Sequence, residues 1–204
     1  MNTQPTSTPT LGKPGNGLPF YEWAVAKYFI FPHRFKSINN EQAIADFLEE
    51  SEKILSLARP LSESQLCEKR LVKRLRGMED NSRFWSVAMA VEHLIIADNA
   101  VRGVILALAN GKVDLPKSTI QDMKPNPLVE PAGLLDRFDQ TSQKFASTAS
   151  SAKIDAFPQA TYEHPWFGPL NAHKWLCFAA PHQRVHRHQI KEICRLLRLE
   201  KQIP

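Results

Sequence analysis

The sequence predicts an all-α protein, a four-helix bundle with a short extra helix on its N-terminal side. Three observations predict it. Apolar residues recur at helical spacing through four long segments. Proline and glycine sit at the ends of those segments. No stretch shows the sustained alternation of a strand. The 204 residues, 43% hydrophobic and 23% charged, are enough for one domain with extensions. A chain of that length buries about 70% of its unfolded surface and needs no covalent staple.

Taken in order, residues 1–16 are rich in Thr and Pro and read as a flexible tail, and 17–204 as a single helical-bundle domain. The tail has no basic start and no apolar run, so no signal peptide is expected. No stretch approaches 18 uninterrupted apolar residues, so no membrane span is expected. Pro19 to Ile30 reads as the short extra helix, stopped by Pro32. The first long helix runs from about Asn40 to Arg59, with Ile44, Phe47, Leu48, Ile54, Leu55 and Ala58 as its stripe and Pro60 as its stop. Residues 61–81 form a polar, basic connector. The second long helix runs from about Ser82 to Asn110, capped by Asn81 or Ser82 and stopped by Gly111. A proline-rich crossing follows, from Pro116 to Pro131. The third runs from about Pro131 to Ser150 with Leu134, Leu135, Phe138, Phe145 and Ala149 inward; the last from about Asn171 to Arg198. The crossing is long enough to run the length of the bundle, which permits a parallel pair of neighbours.

On the last helix, His182, His186 and Gln189 interrupt an otherwise apolar stripe that includes Trp175, Phe178, Ala179, Ile193 and Leu197. His182 and His186 are four residues apart, so both rings leave one face a turn apart, where two imidazoles can share a metal. His173 and His188 point elsewhere on the wheel. On the second long helix, His93 is the one ionisable ring among Met89, Ala90, Ala97, Ala100 and Val104. All three rings fall near the middle of their helices. A lone inward histidine is more often a hydrogen-bonded core residue than a ligand. Three at one height are harder to explain that way, because each buried unsatisfied ring would cost about 1–3 kcal/mol.

The segments Ser82 to Leu94 (SRFWSVAMAVEHL), His164 to Leu176 (HPWFGPLNAHKWL) and His182 to Ile190 (HQRVHRHQI) together resemble the DinB-like superfamily of helical metalloproteins, over roughly residues 40–198. The resemblance implies an up-down-down-up bundle with His93, His182 and His186 as ligands of one divalent ion, zinc or nickel. It also implies a homodimer, for which the aromatic surplus of residues 20–31 is a second reason. Relatives are described as metal-dependent hydrolases, and some resemble transferases that use a small thiol such as glutathione. Two departures stand out. Pro181 removes a backbone donor just before His182 and collides with the carbonyl of Cys177. Lys174 stands where a capping-box glutamate is usual.

Three neutral histidines with a fourth position open make a catalytic rather than a structural pattern. A small electrophilic substrate, hydrolysed or joined to a thiol, is the expectation. No general base stands out. Glu92 and Asp98 lie round the helix from His93. Glu79 and Asp80 precede that helix. Glu163 and His164 sit on a loop that could line a mouth. Cys177 faces away from His182. Three cysteines (Cys67, Cys177, Cys194) without a CxxC suggest a reducing, cytoplasmic setting. Two alternatives remain. One is a non-catalytic metal- or ligand-binding bundle. The other is nucleic-acid binding, suggested by the net charge of +5 and by two basic clusters, Lys69, Arg70, Lys73, Arg74, Arg76 and Arg184, Arg187, Lys191, Arg195, Arg198. Without a reading motif such clusters are usually solvated faces.

Overall fold

A computed structural model describes residues 9–13 and 15–200, with the side chains of 199 and 200 left aside. Of the expected tail, residues 1–8 and 14 lie outside the described residues. Gly12 donates its N–H to Asp80, and Gly15 and Gly17 donate theirs to Glu79.

The N-terminal helix does not stop at Pro32. Helix α1 (Phe20–Val25) widens into a π turn (Ala26–Ile30) and continues as α2 (Phe31–Ser37). A proline inside a regular helix collides with the carbonyl four residues back. The wider turn just before it moves that carbonyl out of register. Helix α3 (Asn40–Ala58) begins with a full capping box, Asn39 and Gln42 each bonding the other's backbone N–H. The basic connector is more ordered than its composition implied: it holds α4 (Glu63–Cys67) and a two-residue strand β1 (Arg70–Leu71), paired antiparallel with β2 (Phe84–Trp85).

Helix α5 (Val87–Ala109) starts five residues later than the sequence suggested. Residues 80–82 form a 3₁₀ turn, and Ser86 is the cap, its Oγ accepting the Met89 N–H at 3.1 Å. Its C-terminal stop is at Gly111, as expected. Gly111 has φ of 73° and bonds back to Leu108, while Lys112 bonds to Ala107, the two bonds of a Schellman motif. Helix α6 (Leu134–Ser151) follows the crossing. A hairpin of β3 (Tyr162–His164) and β4 (Gly168–Leu170) replaces the expected loop. Asn171 then caps α7 (Ala172–Glu200), its side chain accepting the Lys174 N–H at 3.1 Å. Half of the capping box is therefore enough.

Helices α3 and α5 each pack on both α6 and α7. Two buried clusters give the directions. One joins Ala43 and Phe47 at the start of α3, Leu108 at the end of α5, Phe145 and Ala149 at the end of α6, and Leu176 at the start of α7. The other joins Leu55 and Ala58, Val87 and Val91, Leu134 and Phe138, and Ile193 and Leu197. Helices α3 and α7 thus run one way and α5 and α6 the other, which is the up-down-down-up order. The stacked rings of Phe47 and Phe145, 4.1 Å apart, close one end. No helix among the described residues is long and apolar enough to cross a membrane.

Pro181 lies inside α7 without ending it. The Cys177 carbonyl that it deprives of a donor accepts from the Arg34 guanidinium at 2.7 Å, and Arg34 is paired with Asp46 at 2.8 Å. The π turn and α2 deliver that arginine. A buried carbonyl left without a partner would cost about 1–3 kcal/mol, so the N-terminal helix repairs the proline defect beside His182.

Candidate metal centre

The antiparallel pair α5 and α7 brings His93, His182 and His186 together, with one ring nitrogen of each within 4.8 Å of the others. His93 Nε2 and His182 Nε2 are 3.2 Å apart. The tautomers of two rings follow from their partners. His93 Nδ1 faces the Met123 carbonyl at 2.6 Å, an acceptor only, so Nδ1 carries the proton and Nε2 a lone pair turned toward His182 Nε2. His186 Nδ1 faces Gln189 Oε1 at 2.9 Å. Gln189 is itself oriented by its amide nitrogen, which donates to the Ser82 carbonyl at 2.7 Å. His186 must therefore also present its Nε2 lone pair. Such outer partners aim and hold metal ligands. Trp85 lies flat against His186, with ring planes 8° apart, and tilted against His93.

Burial holds all three rings neutral. Desolvation lowers His93, drives His182 well down with help from the neighbouring rings, and pushes His186 down to about 3. Neutral imidazoles with converging ring nitrogens are the donor set that zinc and nickel take. The residues therefore fit the ion that the resemblance implies.

A cavity of about 190 Å³ opens from the three histidines. Its walls are Ala97, Ala100, Val101 and Val104 of α5, Trp175 and Phe178 of α7, residues 118–120 and Met123 of the crossing, and Tyr162 to Trp166 of the hairpin. Tyr162 holds crossing and hairpin together, donating to the Pro116 carbonyl at 2.7 Å and accepting the Ser118 N–H at 3.0 Å. The crossing is tied down again at Asn126, whose N–H bonds Glu92. Glu92 is thus an anchor for the segment that carries Met123, and no base.

The other candidate acids and bases separate cleanly. Glu79, Glu163 and His164 line the cavity; Asp98 and Cys177 do not. Glu79 accepts from Gly15, Gly17 and Asn81, and Asp80 from Gly12 and Arg83. Asp98 is buried in a chain that runs through Gln183 to Ser51, and burial raises its carboxyl to about 7. Burial lifts the Cys177 thiol to about 11, far from a thiolate nucleophile. His173 bonds Asn40 and the Phe35 carbonyl, and His188 is exposed, so both stand apart from the centre. Half of the ten residues in the basic clusters are in internal pairs: Arg184 and Arg187 share the buried Glu50, Arg195 pairs with Glu192, Arg74 with Glu22, and Arg70 with Glu68. Met123 and the Ser82 carbonyl had no signal in the sequence, since any residue supplies a backbone carbonyl. Gln189 was visible as the third polar position on the inward stripe.

Comparison with known proteins agrees with this architecture. No curated protein matches the sequence significantly. Among solved structures, YfiT from Bacillus subtilis, described as a probable metal-dependent hydrolase with an unusual four-helix bundle topology, superposes with a TM-score of 0.59 at 17% identity, covering 79% of this chain and 91% of its own. The family model of the DinB superfamily matches residues 47–190, a span that contains all three histidines and both of their side-chain and main-chain supports. The chain belongs to the DinB superfamily.

Proposed function

We propose that the protein is a metal-dependent enzyme that binds one divalent ion, zinc or nickel, through His93, His182 and His186 and acts on a small electrophilic substrate. The observation that carries this reading is the convergence of three ring nitrogens within 4.8 Å, two of them with their proton already committed elsewhere. The cavity beside them would leave one side of an ion held there open to a ligand. An ion held there would supply Lewis-acid polarisation and lower the pKa of a bound water toward neutrality. The chain's own groups orient the ligands through Met123 and Gln189, and exclude bulk water with Trp85, Phe178 and Trp175. The likeness to YfiT favours hydrolysis.

Transfer of a thiol such as glutathione is the second chemistry. It has weaker support, because Arg184, Arg187 and Arg195 are already paired with carboxylates and lie outside the cavity. Lys124 is the one cationic residue on the cavity wall among those described. The test is a turnover screen with esters, amides and thiol-conjugation substrates, using metal-stripped protein as control. Turnover that is lost on chelation and in His182→Ala/His186→Ala supports the proposal. Turnover that survives both overturns it, and a loaded protein with no turnover on any arm favours the non-catalytic bundle.

We also propose a homodimer formed through the N-terminal helix. Phe20, Tyr21, Tyr28, Phe29 and Ile30 are all more than half exposed there, with Phe20 at 79%. Contiguous exposed apolar side chains of that size mark interaction surfaces.

A further inference from the structure

His164 is a half-buried titratable group that the metal centre does not use. It stands at the end of β3, and its ring is packed among Phe167, Trp175 and Phe178 at centroid distances of 4.8, 5.2 and 4.6 Å. It lines the same cavity as the three ligands. Its tautomer is set by the hairpin. His164 Nδ1 accepts the Trp166 backbone N–H at 3.1 Å, so that nitrogen carries a lone pair and the proton sits on Nε2. Among the described residues Nε2 has no partner. Burial pushes the ring down to about 3, so it stays neutral through the physiological range.

We propose that His164 is a substrate-binding hydrogen-bond donor, its Nε2–H receiving an oxygen of a ligand whose other end reaches the three-histidine centre. The proposal rests on the metal-dependent reading above and names the class of molecule. Phe178 lies between the two stations, stacked against His182 at 5.9 Å and edge-on to His164. Ala97 and Val101 are also on the cavity wall. The ligand therefore carries two oxygen-bearing ends separated by a short apolar spacer. A donor fixed as neutral also selects. An acceptor such as a carbonyl or carboxylate is taken, and an ammonium or amide N–H in the same place leaves Nε2–H unpaired, a mismatch that discriminates between ligands. A general base is the wrong description of this ring, because the basic nitrogen is occupied by the turn that holds it.

The test uses zinc-loaded protein and two kinds of probe: acetohydroxamate, which has a metal-binding head only, and the monohydroxamates of succinic and glutaric acids, which add a carboxylate across a short spacer. At least one of the longer probes should bind the wild-type protein about tenfold more tightly than acetohydroxamate, the factor expected of one hydrogen bond to a charged acceptor. His164→Phe keeps the aromatic packing and removes the donor; it should erase that gap while zinc content and acetohydroxamate affinity stay as they are. His164→Gln, which keeps a donor, should recover part of it. In ¹⁵N-histidine spectra the His164 Nε2–H should be present before addition and move downfield on binding of the longer probe. Failure of the wild-type chain to take up either zinc or nickel overturns the metal-centre reading and this proposal with it. Normal zinc uptake with no advantage for either longer probe, or with an advantage that persists in His164→Phe, overturns this proposal alone. So does an Nδ1–H tautomer.

Discussion

At the residue scale, the arrangement is a set of neutral rings, two of which, His93 and His186, have their protons assigned by their neighbours. Gln189 is the clearest case. It accepts from His186 and is itself turned by the Ser82 carbonyl. Gln189→Leu should leave the helix content intact and weaken zinc binding about 10- to 100-fold, as loss of a ligand's outer partner does elsewhere; a competition titration with a chelating dye measures it. The same three rings set a pH dependence. Burial lowers all of them in the folded chain, while in the unfolded chain histidine titrates near 6.5. Below about pH 6.5 the unfolded chain takes up protons that the folded chain refuses, so the stability of the metal-free protein falls as pH drops. Urea midpoints should hold steady from pH 8 to 7 and decline steadily below 6.5. In His93→Ala/His182→Ala/His186→Ala that decline should flatten. The three histidines could be found from the sequence because inward polar positions interrupt an apolar stripe. Met123 could not, since its part is played by a carbonyl that only the folded crossing puts in place.

At the element scale, the informative pair is Pro181 and Arg34. The proline leaves the Cys177 carbonyl without its helical donor, and α2 supplies a guanidinium in its place. Arg34→Met should cost about 1–3 kcal/mol in chemical denaturation. In a Pro181→Ala background, where the backbone N–H can return to that carbonyl, the same change should cost much less. A double-mutant cycle reads the coupling directly, and additive costs would show that the two residues do not communicate. The four long helices were legible because their stripes keep a period of 3.6 residues over about five to eight turns. The start of α5 was misplaced because Ser82 to Ser86 continue that spacing, while the chain there makes a 3₁₀ turn and a strand before Ser86 caps the helix. The paired strands are two or three residues long, too short for alternation to register. Pro32 misled because the π turn ahead of it has no sequence signature.

At the scale of the whole molecule, the topology serves the site. A crossing between parallel neighbours must travel the length of the bundle, and here it passes over the three histidines, places Met123 on His93 and roofs the cavity with residues 118–120. An antiparallel neighbour on a short loop would leave that face bare. The length of this segment permitted a parallel pair and the family resemblance implied the order of the helices, whereas the segment's course over the site was not legible. The N-terminal apolar face belongs to this scale as well. Light scattering should give about twice the mass of one chain, and Tyr28→Glu/Phe29→Glu should give one chain's mass without loss of helix content. A wild-type protein that stays monomeric at high concentration would contradict the dimer.

The central claim is that His93, His182 and His186 hold one divalent ion, and elemental analysis of purified, dialysed protein tests it most directly. About one equivalent of zinc or nickel per chain should be found in the wild-type protein and in His188→Ala, falling below about a tenth in His93→Ala, with circular dichroism unchanged. A wild-type protein that takes up no divalent metal, or equal metal loss in His93→Ala and His188→Ala, would contradict the account.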